Sequence, residues 1–152
     1  MPLILDLIDS IGEKKIFMKI DLQWEYNNVR IKEKNKWKTE FLMLEGAFEL
    51  MIMFFGLTNS PATFQTMMND LLKDIIETGN VATFSNNVIV GIETEEGHDK
   101  IVEEALKRII KNDLFVKLKK CVWKVREIGF LEVMIEPDSI RIEKKKVQEV
   151  VD

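Results

Sequence analysis

The stretch Val81-Ala82-Thr83-Phe84-Ser85-Asn86-Asn87-Val88-Ile89-Val90 constrains the fold of this chain more than any other. Two short runs of β-branched and aromatic residues, Val81 to Phe84 and Val88 to Val90, flank an Asn-Asn pair. Asparagine tolerates the left-handed backbone that a tight hairpin loop demands, so the pattern predicts a β-hairpin turning at Asn86-Asn87. Such a hairpin takes its meaning from what precedes and follows it.

Before it, Leu3, Ile4, Leu7, Ile8 and Ile11 fall at helical spacing and Gly12 supplies a stop. Ile16 to Asp21 reads as a strand, with Asp21 the odd residue at its apolar end. Val29 to Ile31 and Trp37 to Leu44 read as further strands across the charged connection Lys32 to Lys36, and Glu45-Gly46 turns the chain into Ala47 to Met53. Pro61 after Ser60 marks a helix start, with Ser60 able to cap, and this helix is expected to run to about Glu77 and end at Gly79-Asn80.

After the hairpin, Glu95 to Lys111 forms a second long helix with an apolar stripe through Ile101, Val102, Ala105, Leu106, Ile109 and Ile110. Ile128 to Ile135 and Ile140 to Ile142 predict a last hairpin around Pro137-Asp138-Ser139, and Lys144 to Val151 begins a helix. There is no internal repeat, low-complexity segment or linker. Hairpins interspersed with helices define an α+β class.

A chain of 152 residues, 46% hydrophobic and 32% charged, suits one folded domain rather than a disordered one. No apolar run approaches the roughly 18 residues of a membrane helix, so no membrane partner is expected. The first five residues lack a basic leader and a small-residue cleavage site, and no signal peptide is expected. The single Cys121 excludes an internal disulfide and fits a reducing, intracellular compartment, cytoplasm or nucleus. The net charge of −4 is unevenly spread: Lys107 to Arg126 holds eight basic residues and one acid, Asp113. That excess either touches phosphates, through Lys117, Lys119 and Lys120 above all, or is a solvated helix face and loop.

Lys19-Ile20-Asp21-Leu22, Lys38-Thr39-Glu40-Phe41, Phe55-Gly56-Leu57-Thr58-Asn59-Ser60-Pro61-Ala62-Thr63-Phe64-Gln65, the hairpin, Leu118-Lys119-Lys120-Cys121 and Gly129-Phe130-Leu131 follow one another in a recognisable order. In order and spacing the five blocks and the hairpin resemble the reverse transcriptases of Ty3/gypsy-type long-terminal-repeat retrotransposons, across almost the whole chain. The resemblance implies one domain over residues 1–152: a palm, an antiparallel sheet with helices packed on one face, plus part of the fingers. The thumb and RNase H are expected to be absent. It also implies RNA-directed DNA polymerase chemistry, with Mg²⁺ as cofactor and an RNA or DNA template–primer as partner.

In that family two Mg²⁺ ions sit on three aspartates, one ending a strand and two in an aromatic-x-Asp-Asp turn. The matching positions here are Asp21, Asn86 and Asn87, the turn reading Phe84-Ser85-Asn86-Asn87. Hard divalent cations want anionic oxygens, and asparagine offers a neutral carbonyl and a competing donor. Asp21 is then the one carboxylate left, and weak or no Mg²⁺ binding is expected. Other departures are Glu25 for a glycine, Leu42 for an arginine expected at the nucleotide phosphates, Phe54 for a proline, and Leu131-Glu132-Val133 for Leu-Gly-His. Tyr26 matches the position that screens the nucleotide sugar, and Phe55, Pro61 and Gln65 match the template and nucleotide wall; the same residues suit plain packing.

Three functions stay open on the sequence: a silenced reverse transcriptase-like domain that still holds nucleic acid or a protein, an active polymerase fragment, and a structural or dimerising module, a homo-oligomer or a partner to missing retroelement domains. Asp21 marks a former metal site or caps nearby amides. Cys121 and the Met67-Met68 pair read as buried, His98 as a surface or packing residue, and Trp24, Trp37 and Trp123 as core or as base-stacking platforms.

Overall fold

One long strand organises the molecule, because both of its edges are paired and both of its faces are covered. A computed structural model of the chain describes residues 4–24, 26–137 and 139–142. The elements are α1 (Ile4–Gly12), β1 (Ile16–Gln23), β2 (Phe41–Met43), β3 (Gly46–Phe48), α2 (Ser60–Leu71), α3 (Lys73–Glu77), β4 (Val81–Phe84), β5 (Asn87–Ile92), α4 (Glu95–Lys111), β6 (Phe115–Val116), β7 (Val122–Val125), β8 (Ile128–Phe130), β9 (Val133–Glu136) and β10 (Ser139–Ile142). Short 3₁₀ segments lie at Tyr26–Asn28, Glu33–Thr39 and Leu118–Lys120. The central sheet runs β4-β5-β1, all antiparallel, and the far edge of β1 is shared by β7 near its start and β6 at its end.

Alternation along β1 and β5 sends side chains to two cores. Met18, Ile20, Leu22, Val88 and Val90 pack with Phe64 and Met68 of α2 and Ala105 and Ile109 of α4. The two long helices thus share one face of the sheet. Phe17 and Ile89 point the other way, into a core made with Ile8 and Ile11 of α1 and with Ile128, Phe130 and Ile135 of the β8-β9-β10 sheet. Each of these large side chains contributes about 1.5–3 kcal/mol of burial. α1 comes so close to β5 that a Cβ at Gly91 would lie 3.1 Å from Ile11 Cγ2, which is why a glycine interrupts the apolar run there.

α1 and α4 form where the periodicity places them, while several expected strands are shorter or absent. Val29 to Ile31 makes only a single bridge, Arg30 to Ile52. Trp37 to Leu44 is 3₁₀ as far as Thr39, because the Thr39 hydroxyl donates to Lys36 O (2.7 Å) and accepts from Leu50 N (2.8 Å), local bonds that compete with a ladder. β3 ends at Phe48 instead of continuing to Met53. Ser60 does not cap α2: Asn59 takes that position without a side-chain bond, and Ser60 Oγ donates to Phe54 O (3.2 Å).

The helix expected to reach Glu77 breaks at Leu72, where Arg108 Nη1 donates to the Leu71 carbonyl (3.3 Å), an intrusion of the kind that bends helices. The run from Ile128 to Ile135 is itself a hairpin, since Leu131 and Glu132 both adopt positive φ (49° and 72°), the signature of a type I′ turn. The helix expected over Lys144 to Val151 lies outside the described residues, as does Glu25.

Arg108 also ties α4 to α3. Its guanidinium chelates Asp74, with Nη2 2.7 Å from Oδ2, and its Nε reaches Glu104 Oε1 at 2.7 Å. The Arg108 hydrogen bond holds the Asp74 carboxyl at about 2, and Asp74 in turn raises Arg108. A carboxylate whose folded pKa is depressed adds stability above its unfolded value and loses it as pH falls through the folded one. The stability gap between the wild type and Asp74→Asn, present at neutral pH, is therefore expected to close between about pH 4 and pH 2 in thermal melts. A gap that stays constant over that range would refute the pairing.

Candidate nucleic-acid cleft

The site begins with a gap in the sheet edge. β1 pairs with β5 along its length, with Asp21 opposite Asn87. On its other edge β7 pairs as far as Lys19 and β6 takes up at Leu22, so neither strand reaches Asp21. The Leu118–Lys120 3₁₀ segment fills the gap: Lys117 N donates to Asp21 O (2.7 Å), and Asp21 N rests on Cys121 Sγ (3.4 Å). Asp21 is consequently 8% exposed and sits inside β1, two residues before its end. No hydrogen bond among the described residues ends on its carboxylate, so it does not cap amides. Cys121 is half-buried, and burial pushes its thiol up.

The β4–β5 hairpin meets this gap with its turn. The turn lies one residue earlier than expected: Phe84 pairs with Asn87, leaving Ser85 and Asn86 as the loop, and Ser85 takes the positive φ (53°). Pairing of Asn87 with Asp21 sets that register, a long-range constraint the local pattern does not carry. Asn86 O accepts from Leu22 N (2.8 Å), and Asn87 Nδ2 donates to Asn86 Oδ1 (3.1 Å).

Beneath the turn, Gln65 is 3% exposed and fully engaged. Its Nε2 shares its two N–H donors among Thr83 O (3.0 Å), Thr83 Oγ1 (2.9 Å) and Asn69 Oδ1 (2.9 Å), while its Oε1 accepts from Ser85 N (3.0 Å). Thr83 and Asn69 close the network at 2.7 Å. Neither residue was singled out in the sequence; a threonine two places before the turn was the available signal. Pro61, half-buried, occupies the first turn of α2. Tyr26 is buried and meets Phe55 and Phe64 edge-on, at 4.8 and 6.0 Å between centroids.

Asp21, Asn86, Phe55, Lys117 and Lys120 together line a cleft of about 220 Å³, with Trp24 at its wall. Lys119 is exposed, and it, Tyr26, Pro61, Gln65 and Asn87 are not among the residues that line the cleft. Two larger clefts, of about 690 and 610 Å³, contain none of the expected site residues. The tryptophans are not core: Trp24, Trp37 and Trp123 are 60%, 62% and 45% exposed, and Trp24 packs edge-on to the exposed Phe115. His98 and Met68 are buried packing residues.

The basic run divides. Lys107 and Arg108 are paired along the helices, and Lys124 reaches Glu95 and Asp99. Lys117, Lys119 and Lys120 form no ion pair among the described residues. The donor set at the turn suits a hard cation poorly, with one carboxylate and two neutral amides, one of whose oxygens already accepts from its neighbour.

A sheet edge opened at an aspartate, with a hairpin turn against it and a basic segment across it, defines a polymerase-type palm. The chain belongs to the reverse transcriptase (RNA-dependent DNA polymerase) family, whose family model matches residues 2–135. It is 32% identical over 142 residues to the retrovirus-related Pol polyprotein from transposon opus of Drosophila melanogaster, covering 93% of this chain and 14% of that protein. It is 28% identical over 131 residues to the transposon Tf2-7 polyprotein of Schizosaccharomyces pombe, covering 86% of this chain and 10% of that protein. The chain thus spans about a seventh or less of these relatives. The fold superposes on foamy viral protease-reverse transcriptase, in complex with RNA/DNA hybrid, with a TM-score of 0.87 over 99% of this chain and 20% of that one, at 24% identity. A complex of the same viral protein with double-stranded DNA gives 0.86 over 100% of this chain and 28% of that one, also at 24% identity. Among the described residues no helix is long and apolar enough to cross a membrane.

Proposed function

We propose that this chain is the fingers and palm portion of a Ty3/gypsy-type retrotransposon reverse transcriptase, one domain whose cleft holds a template–primer but does not extend it. The observation that carries the reading is the neutral Asn86-Asn87 pair opposite Asp21. In the working enzymes Mg²⁺ activates the primer hydroxyl and neutralises the leaving phosphates, and that role requires anionic ligands. Asp21 alone does not meet the requirement, so the residues do not fit the metal pair. The exposed Lys117 and Lys120 beside the cleft, and the nucleic acids in the complexes of its structural neighbour, support retention of binding. An intracellular site of action goes with this reading.

Primer extension on an RNA template tests it. With Mg²⁺ or Mn²⁺ the chain as it stands is expected to add no nucleotide. Extension by the unaltered chain would overturn the proposal. Extension appearing only in Asn86→Asp/Asn87→Asp would mean that the turn alone silences an otherwise competent palm.

A further inference from the structure

We propose that the neutral turn has converted this cleft into one that takes the phosphates of a nucleic-acid strand directly, with no divalent cation between them. The proposal rests on the nucleic-acid reading above and adds the chemistry of the contact. The ionised residues lining the cleft are Asp21, Lys117 and Lys120, one negative charge against two positive. An aspartate at 86 would bring the lining to two negative charges against two positive, and one at 87, paired opposite Asp21, would add a third beside it. A strand would then approach against a net negative charge, which cations would have to offset for tight binding. As the chain stands, the balance already favours an anion.

The groups that would meet a phosphate are held in place and uncommitted. Lys117 N is fixed to Asp21 O (2.7 Å) and Lys120 N to Lys117 O (2.8 Å), which anchors the backbone of both lysines at the cleft while their side chains stay exposed. Asn86 Oδ1 accepts from Asn87 Nδ2, which leaves the Asn86 N–H donors uncommitted, and such donors suit phosphate oxygens. Trp24 and Phe55, 60% and 68% exposed, put two aromatic faces on the same cleft, on which an unpaired base can stack. One carboxylate, two lysines, an amide donor and two aromatic rings make a site for a single-stranded nucleic-acid segment.

The test is fluorescence anisotropy with a fluorescein-labelled RNA/DNA hybrid carrying a single-stranded template overhang, in EDTA and in Mg²⁺, with KCl holding ionic strength constant. The unaltered chain is expected to bind as well in EDTA as in Mg²⁺. Asn86→Asp/Asn87→Asp is expected to bind about tenfold or more weakly in EDTA and to recover in Mg²⁺. Lys117→Ala/Lys120→Ala alters only exposed side chains, so folding is not at risk. It is expected to weaken the wild type and lower its salt slope by about 1 to 2. A wild type that needs Mg²⁺ to bind would overturn the inference, as would equal affinities of wild type and the aspartate variant in EDTA. Either result would leave nucleic-acid binding itself standing. No binding in any buffer by a chain that is folded by circular dichroism would remove the nucleic-acid reading and this inference with it.

Discussion

Gln65→Ala is expected to cost about 3 kcal/mol of folding stability, a drop large enough to see as a clear fall in the thermal midpoint. Four hydrogen-bond contacts converge on this one buried amide, and its loss removes the Gln65 partner of Ser85 N and Thr83 O while opening a void under the hairpin. Restoring volume alone should not help: Gln65→Leu fills the space but offers Ser85 N and Thr83 O no amide to bond. A leucine variant as stable as the wild type would show that the network at the turn carries no weight. Because Gln65 holds Ser85, its loss is also expected to loosen the loop that presents Asn86 to the cleft.

The second large effect concerns metal. The wild type is expected to show the same thermal midpoint in Mg²⁺ and EDTA, since the donor set at the turn offers one carboxylate. In Asn86→Asp/Asn87→Asp three carboxylates crowd one end of the sheet, with Asp21 paired directly across from position 87. That variant is expected to melt several degrees lower in EDTA, through like-charge repulsion. It should regain the loss in Mg²⁺ or Mn²⁺, because an ion that binds only the folded state stabilises it by mass action, by about 2.7 kcal/mol at a hundred times its dissociation constant. Scanning calorimetry with and without chelator makes the comparison. A divalent-dependent midpoint in the unaltered chain would mean that asparagine oxygens suffice as ligands.

What the sequence made legible follows from the range of the interactions involved. The β4–β5 hairpin and α4 were readable because period-two alternation and an apolar stripe are local signals. The register of the turn was not, because it depends on the pairing of Asn87 with Asp21, more than sixty positions away. The same holds for the break at Leu72, which Arg108 imposes from another helix. The candidate site divides in the same way. The blocks around Asp21, Gln65 and Leu118–Cys121 were visible as a pattern, and the turn's missing charges with them. That Cys121 sulfur supports the Asp21 amide, that Asn69 and Thr83 close a network on Gln65, and that the three tryptophans face outward are facts of three dimensions, which no local spacing encodes.

The β2–β3 hairpin carries a consequence of its own. Among the described residues its strands pair only with each other, and every residue from Phe41 to Phe48 is exposed, Leu42 at 81% among them. The Thr39 hydroxyl and the Arg30–Ile52 bridge are what tie its base to the rest. Its free energy of opening is thus nearly decoupled from that of the central sheet, and it forms a cooperative unit of its own at the low end of the stability range. The hairpin is therefore expected to lose its structure and regain it while the palm that fixes the cleft stays intact.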